Sequence, residues 1–311
     1  MAVDKIQAAG DERIEYRSAT VNGRNYGYLL SQPQLGKYRA TIFLIHGFPD
    51  LSMGWRYQIP MLVDLGLRVV APDSLGYGRT DAPDSPTEYS YKRCADDIKA
   101  LASHLGESKI ILGGHDWGAG LVYRVALWHP DLVSHLFTVC VPYFPPRADY
   151  TALEDLVRTV APHFGYQVQF ASGDVEKIIR SKTEIKQFLT TLYGGRTETG
   201  ELGIDISKGV LAEKLPAVRP SRLVNEEVNY EDELAILDRQ ITVPVLFVQA
   251  LRDVALPPHL GKAMARLVPN LAQKQVDTGH WALWEKPQEV NEIIVEWFQG
   301  VVFKGERSGS L

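Results

Sequence analysis

The stretch that most constrains the fold of this chain is residues 109–120, which read Lys-Ile-Ile-Leu-Gly-Gly-His-Asp-Trp-Gly-Ala-Gly. Residues 110–112 are apolar and branched, as a buried strand requires, and residues 119–128 read as a helix. Between them, glycines lie two residues before and two residues after Asp116. Small residues there permit a turn too tight for side chains, and such a turn holds its central residue exposed above a sheet. The stretch therefore predicts that Asp116 is a nucleophile.

A carboxylate in this position limits the chemistry. With an ordinary pKa of ~3.9, an aspartate is ionised at neutral pH and needs no base to activate it. Attack on an ester carbonyl would give a high-energy anhydride, whereas attack on a saturated carbon gives an ordinary ester that water can cleave. We therefore expect an sp3 electrophile, an epoxide or an alkyl halide, as the substrate. The alternative is that Asp116 only caps the following helix, which the flanking glycines argue against.

Size and composition are those of an ordinary globular protein. The 311 residues can bury a full core and carry an insertion, and a net charge of −5 gives no reason to expect nucleic acid or an anionic membrane as a partner. Residues 1–18 are polar and charged, and no window approaches the ~18 apolar residues of a membrane span. We therefore expect a cytoplasmic protein that binds a small molecule; a homodimer is compatible with the sequence.

The pattern of elements divides the chain in two. Strands and helices alternate in residues 1–141 and again in residues 241–311, which predicts a mostly parallel sheet covered on both faces. Residues 142–240 show no such alternation and contain a Pro-rich start followed by helical segments. We expect the two outer parts to form one α/β core domain and the insertion to form a helical cap over the site.

Two residues later in the chain are the expected partners of Asp116. Around a turn of this kind, the nucleophile is followed first by an acid and then by a histidine. Asp253 ends a strand-like run and His280 lies in a loop before the last helix. His280 would deprotonate the water that cleaves the ester, and Asp253 would hold its tautomer. Asp232, in an acidic run, and Asp277, too close to His280 in sequence, are weaker candidates.

Cleavage of the ester also requires donors for an oxyanion on Asp116. The expected pair is the backbone N–H groups of Trp117, which follows the nucleophile, and Phe48, in the loop after the third strand. His46 and His115 flank the chemistry, and we expect them to act as structural hydrogen-bonding residues.

Four motifs carry a resemblance that runs nearly end to end. They are residues 46–50 (His-Gly-Phe-Pro-Asp), 55–60 (Trp-Arg-Tyr-Gln-Ile-Pro), 114–118 (Gly-His-Asp-Trp-Gly) and 279–281 (Gly-His-Trp). With them the chain resembles the epoxide hydrolases of the α/β-hydrolase superfamily, and residues 76–83 resemble the fungal soluble type. The resemblance implies the α/β-hydrolase fold and cofactor-independent hydrolysis of an epoxide to a diol through a covalent Asp ester.

The resemblance also implies two cap tyrosines that protonate the alkoxide formed on ring opening. Residues 164–167 (Phe-Gly-Tyr-Gln) resemble the first tyrosine motif and indicate Tyr166. The second normally lies near the end of the cap, but residues 219–229 contain no tyrosine, and Tyr230 follows in a run of acids. The cap is therefore expected to be shorter by about a helix, and either Tyr230 or no residue is the second acid.

Three alternative functions remain open at this point. Haloalkane dehalogenases share Asp-Trp at the nucleophile, but they usually have a halide-binding residue where this chain has Phe48. An enzyme that opens an epoxide for internal cyclisation or rearrangement is compatible with the altered cap. A non-catalytic small-molecule receptor on the same fold would have no need of an intact Asp–His–Asp set.

Overall fold

The structure, a computed structural model, describes residues 2–34, 37–193, 203–214 and 230–304, without the side chains of Glu213, Tyr230 and Glu231. Within these ranges the strands are β1 (Glu15–Val21), β2 (Arg24–Ser31), β3 (Ala40–Ile45), β4 (Leu67–Pro72), β5 (Ile110–His115), β6 (Val133–Val139), β7 (Ile204–Asp205), β8 (Gly209–Val210), β9 (Val245–Ala250) and β10 (Leu271–Val276). The helices are α1 (Ile59–Asp64), α2 (Tyr91–His104), α3 (Trp117–Trp128), α4 (Leu153–Thr159), α5 (Gly165–Ala171), α6 (Asp174–Ile178), α7 (Lys182–Leu192), α8 (Tyr230–Leu234), α9 (Met264–Leu267), α10 (Ala282–Glu285) and α11 (Pro287–Trp297).

Eight strands form one sheet in the order β1-β2-β4-β3-β5-β6-β9-β10. The first two are antiparallel, and β3, β4, β5, β6, β9 and β10 run parallel to one another. Asn22 and Gly23 join β1 to β2 with φ angles of 50° and 80°, the two positive values that a tight hairpin turn requires. The predicted mostly parallel α/β sheet is confirmed.

Both faces of the central strands are buried. On β3, Phe43 and Ile45 belong to one apolar cluster, which α2 and α3 cover, while Ile42 and Leu44 belong to the other, which α1 and α11 cover. Successive side chains of a strand point to opposite faces, so a strand in the middle of three layers must be apolar at every position. This explains why the central strands read as continuous apolar runs. Because these strands are parallel, their carboxyl ends lie at one edge of the sheet, where the loops that follow them meet.

The segment between β6 and β9 has a different composition of elements. It contains α4 to α8 and the short hairpin of β7 and β8. A small apolar cluster of its own includes Phe170, Val175, Ile179, Phe188 and Val210, and Phe48 of the core packs against it. No helix in the described part of the chain is both long and apolar enough to cross a bilayer.

Several elements begin or end at residues other than those that the sequence pattern indicates. Helix α3 begins at Trp117, directly after the turn. Strand β6 ends at Val139 because Cys140 has a φ of 71°, which no strand allows. Residues 258–267 read as one helix in the sequence, but they form a 3-10 segment, Pro258–Ala263, followed by the single turn of α9. The last helix gives way to a π turn over Phe298–Val302.

Candidate active site

Asp116 occupies a strained turn between β5 and α3. Its φ and ψ are 53° and −129°, a region that non-glycine residues rarely adopt, and strain of this kind is concentrated at functional sites. The loop from β3 passes so close that a Cβ on Gly118 would lie 2.2 Å from the Ile45 carbonyl oxygen, and one on Gly47 would lie 2.4 Å from Asp116 Oδ1. The glycines thus allow two backbones to converge on one carboxylate.

The structure brings Asp116, His280 and Asp253 together. His280 Nε2 lies 3.3 Å from Asp116 Oδ2, and His280 Nδ1 lies 2.7 Å from Asp253 Oδ2. Asp253 Oδ1 accepts hydrogen bonds of 3.0 Å from the backbone N–H groups of Ala255 and Leu256, which fix its carboxylate. This is the geometry of a nucleophile, a base and an acid that orients the base; the catalytic roles themselves stay a prediction.

The two alternative acids, Asp232 and Asp277, do not form the hydrogen bond that Asp253 forms with His280 Nδ1. The Asp277 carboxylate is exposed and forms an ion pair of 2.9 Å with Arg252. Asp232 lies on α8, and His280 Nδ1 is hydrogen bonded to Asp253 instead. Hydrogen bonding to His280 Nδ1 therefore distinguishes Asp253 from both.

Burial and charge act in opposite directions on these three groups. Burial alone would lower the pKa of His280, but the carboxylates of Asp253 and Asp116 outweigh it and raise that pKa to about 10. Burial likewise favours neutral Asp116 and neutral Asp253, but His280 is foremost among the groups that hold the pKa of each below its usual value. The resting site therefore consists of two carboxylates on either side of an imidazolium.

The two predicted oxyanion donors also lie at Asp116. The Phe48 N–H donates a hydrogen bond of 2.8 Å to Asp116 Oδ1. The Trp117 N–H also helps to lower the pKa of Asp116, although burial, the largest influence, raises it. Because Oδ1 accepts the Phe48 N–H, Oδ2, on the side of His280, is the oxygen left for chemistry.

His46 and His115 make the structural contacts expected of them. His46 Nε2 accepts from the Ser74 N–H at 2.9 Å, and Nδ1 lies 2.8 Å from the Gly47 carbonyl oxygen, to which it must donate. His46 is therefore the neutral Nδ1–H tautomer, in keeping with a pKa that burial lowers. His115 Nε2 lies 2.9 Å from the carbonyl oxygen of His280, which can only accept. His115 thus joins the strand before the nucleophile to the loop of the base.

A cavity of about 1450 Å³ opens above Asp116 and His280. Tyr166, on α5, lies in its wall, and Gln167 Nε2 lies 3.2 Å from the Tyr166 hydroxyl. Burial, followed by the charge of Asp116, raises the pKa of Tyr166 well above its usual value, so the phenol keeps its proton. The Tyr230 side chain and residues 219–229 lie outside the described residues. The choice between Tyr230 and no second acid stays open.

Three further tyrosines of the insertion have surroundings that differ from those of Tyr166. Tyr143 is buried, with its ring centre 5.2 Å from that of Tyr123, and Tyr150 is 72% exposed at the rim of the cavity. The Tyr193 hydroxyl donates to the Pro49 carbonyl oxygen at 3.1 Å. From the sequence we expect structural roles for all three, and the contacts of Tyr143 and Tyr193 are in keeping with that expectation.

Cys140, Asp253 and His280 offer potential metal-ligand atoms within 4.8 Å of one another. Two of these atoms are already hydrogen bonded to each other, namely His280 Nδ1 and Asp253 Oδ2. Burial raises the pKa of the Cys140 thiol, which donates to the His280 carbonyl oxygen at 3.2 Å instead of presenting a thiolate. The hydrogen-bonding needs of His280 account for this cluster without a metal.

One residue at the site was not anticipated from the sequence. The Glu285 carboxylate accepts hydrogen bonds from Thr278, Gly279 and Trp281, on both sides of His280. The available signal is an acid in the first turn of α10, four residues after the cap residue Trp281, whose N–H its side chain accepts.

Comparison with known proteins agrees with this architecture. Residues 40–287 match the family described as having the alpha/beta hydrolase fold. An epoxide hydrolase of Neurospora crassa is 37% identical, over 93% of this chain and 96% of its own. The bifunctional epoxide hydrolase 2 of the rat is 30% identical over 89% of this chain, which spans 56% of that protein's length. The crystal structure of epoxide hydrolase A from Mycobacterium thermoresistibile is 26% identical, with a TM-score of 0.73 over 92% of this chain and 98% of that one. The chain therefore belongs to the alpha/beta hydrolase fold family and, within it, to the epoxide hydrolases.

Proposed function

We propose that this protein opens an epoxide by attack of Asp116 and hydrolyses the resulting ester to a diol. The single observation that carries the proposal is the carboxylate at the turn after β5, within 3.3 Å of His280, which is itself held by Asp253. A carboxylate nucleophile matches a saturated carbon electrophile, as the sequence argument requires. The 37% identity to an epoxide hydrolase of N. crassa supports the epoxide as that electrophile.

In the first step, Asp116 Oδ2 attacks an epoxide carbon and the C–O bond of the ring breaks. The negative charge moves from the carboxylate to the alkoxide oxygen. Tyr166 donates its proton to that oxygen, because an alkoxide is a stronger base than even a buried phenolate. A phenol with a raised pKa is not ionised at neutral pH, so Tyr166 carries its proton when the epoxide binds.

In the second step, His280 is the base. The ester has removed the charge of Asp116, which is one of the two carboxylates that raise the pKa of His280. That pKa therefore falls when the ester forms, and His280 releases its proton, which returns through solvent to the Tyr166 phenolate. The neutral imidazole can then accept a proton from water. The hydroxide adds to Cγ of the ester, and the N–H groups of Phe48 and Trp117 hold the resulting oxyanion on Oδ1. The bond between Cγ and Oδ2 then breaks, and the proton of the added hydroxyl group passes to the leaving oxygen. The diol thus leaves with the original Oδ2, and Asp116 is again a carboxylate.

The cavity supports a cap domain of residues 142–240 over a core of residues 1–141 and 241–311. Side chains from both parts line the cavity, Asp116 and His280 from the core and Tyr166 from the insertion. The parts are joined by specific contacts: the Trp281 Nε1–H donates to the Leu192 carbonyl oxygen at 3.0 Å, at the end of α7. Such a cap would exclude water from the reacting carbon.

The surroundings of Phe48 favour an epoxide over an alkyl halide. Its ring packs edge-on against Phe170 with centres 5.7 Å apart, and it offers no side-chain N–H to a halide. A net charge of −5 supports a small-molecule substrate over nucleic acid. We propose a cytoplasmic location and a homodimer as the assembly, which cell fractionation and light scattering of the purified protein would test.

Product analysis in 18O-labelled water tests the function directly. The protein is incubated with a panel of epoxides and alkyl halides, and we expect diol from epoxides. In a single turnover the label should enter the Asp116 carboxylate, because water attacks Cγ, and it should reach the diol only in later turnovers. Halide release would favour a dehalogenase, a cyclised product would favour rearrangement, and no turnover would favour a receptor.

Substitution of Tyr166 by phenylalanine should nearly abolish ring opening of simple epoxides. Loss of a preorganised donor to an oxyanion typically costs ~3 kcal/mol, or about two orders of magnitude in rate. The measurement is the rate of the first step by stopped flow with styrene oxide. Tyr150→Phe, at the rim of the same cavity, is the matched control and should retain the rate.

Tyr230→Phe distinguishes one donor from two. With Tyr166 as the main acid, we expect Tyr230→Phe to have little effect. Equal damage from Tyr230→Phe and Tyr166→Phe would mean that the chain has a second donor and that the expected shortening of the cap is wrong.

A further inference from the structure

The backbone around His280 is tied to a single carboxylate, that of Glu285. Oε2 accepts from the Thr278 hydroxyl at 2.8 Å and from the Gly279 N–H at 3.0 Å. Oε1 accepts from the Trp281 N–H at 3.2 Å. The loop residues immediately before and after His280 thus donate to the two oxygens of one side chain. The carboxylate fixes the loop by contacts that a neutral side chain of the same shape could not all accept.

The carbonyl group of His280 is held by two further side chains. It accepts from His115 Nε2 at 2.9 Å and from the Cys140 thiol at 3.2 Å. With Nδ1 bound to Asp253, the only ring nitrogen left for chemistry is Nε2. Its direction therefore depends on where the loop places the backbone of His280.

We propose that Glu285 is a positioning residue for His280 in the hydrolysis step. The proposal rests on the proposed function, since it concerns the base of that reaction. The hydrogen bonds of Glu285 go to the loop around His280, whereas Asp116 Oδ1 is held independently by the Phe48 N–H. A shift of the loop should therefore misplace the base and leave the nucleophile in place. The two chemical steps should respond differently to a change at Glu285, which a merely structural role would not produce.

The test separates the two steps in Glu285→Gln. The amide keeps the shape of the side chain, but its NH2 group would face a backbone N–H where a carboxylate oxygen now accepts. With styrene oxide as the probe, alkylation is followed by stopped-flow tryptophan fluorescence, and ester hydrolysis is followed by intact-protein mass spectrometry. We expect alkylation within about twofold of the wild type and hydrolysis slower by about 10- to 100-fold, the cost of a small misplacement of a catalytic group.

Glu289→Gln is the matched control. Glu289 lies four residues after Glu285 and pairs with Lys286. Its replacement by glutamine makes the same change of carboxylate to amide, but outside the hydrogen bonds of the His280 loop. Thr278→Val removes only one of the three donors and should slow hydrolysis in the same direction by less, which keeps the test available if Glu285→Gln fails to fold.

The outcomes separate this proposal from the proposed function. Accumulated ester in Glu285→Gln, with unchanged alkylation, supports the positioning role. Equal slowing of both steps, or hydrolysis at the wild-type rate in both Glu285→Gln and Thr278→Val, overturns it. Absence of an adduct and of diol in the wild type would instead overturn the covalent epoxide hydrolase mechanism itself.

Discussion

Asp116→Asn is expected to abolish turnover while the protein remains folded. An amide is neutral and a poor nucleophile, so the first bond to the epoxide carbon does not form. Removal of a nucleophile in a hydrolytic enzyme can cost about 10⁶-fold in kcat, and we expect a loss of at least about 10⁴-fold here. The measurement is the steady-state rate of diol formation, with substrate binding followed separately by fluorescence.

Asp277→Asn is the control for this substitution. It makes the same change of carboxylate to amide three residues before His280, but on an exposed side chain paired with Arg252. Its activity should stay within about twofold of the wild type, as for most surface substitutions. Because asparagine in a reactive site can deamidate back to aspartate, the mass of the Asp116→Asn protein must be checked after the assay. Near-normal initial turnover without deamidation would remove Asp116 from the mechanism.

The turn at Asp116 could be predicted because its requirements are local. A Cβ at Gly118 would clash with the Ile45 carbonyl oxygen at the end of β3, and one at Gly114 would clash with the backbone at the start of α3, so both positions need glycine. This need is written in five consecutive residues. Asp253 and His280 could be predicted because parallel strands bring their following loops to one edge of the sheet. Order along the chain is then enough to place both residues beside Asp116.

The hydrogen bonds to the backbone carbonyl oxygen of His280 could not be predicted in the same way. The side chains of His115 and Cys140 both donate to the His280 carbonyl oxygen, although they precede it by 165 and 140 residues in the sequence. The acceptor is a backbone atom, so no motif indicates the contact. The Cys140 contact further depends on a positive φ at a residue that reads as part of a strand. Contacts to a backbone carbonyl leave no signature in the identity of the acceptor.

The insertion was less predictable than the core for a different reason. Its helices are short: α6 has five residues, α4 and α5 seven each. Helices of this length are not stable alone and take their ends from tertiary contacts. The sequence therefore indicated a helical cap and the Tyr166 motif. The helical segment expected around residues 153–160 agrees with α4, whereas the one expected over residues 175–192 is divided into α6 and α7. The location of a second proton donor lies outside the described residues.

Replacement of His280 by glutamine should separate the reaction into a completed first step and a stalled second one. Glutamine cannot take a proton from water, and loss of a general base typically costs about 10²–10⁴-fold. Burial would raise the pKa of Asp116 once the neighbouring imidazolium is gone, so the experiment is run at pH 8, which favours the ionised carboxylate. We expect one equivalent of epoxide to be consumed and very little diol to follow.

Intact-protein mass spectrometry gives the decisive measurement for this variant. The mass should rise by that of one substrate molecule, and the adduct should map to the peptide that contains Asp116. His129→Gln is the matched control, because His129 is also bound to a carboxylate, that of Asp96 at 2.8 Å, but it is the C-cap residue of α3, at the opposite end of that helix from Asp116. It should turn over without accumulating an adduct. If the His280→Gln protein stays unmodified with a substrate that the wild type consumes, hydrolysis does not pass through an ester, and the pKa switch of His280 has no part in the reaction.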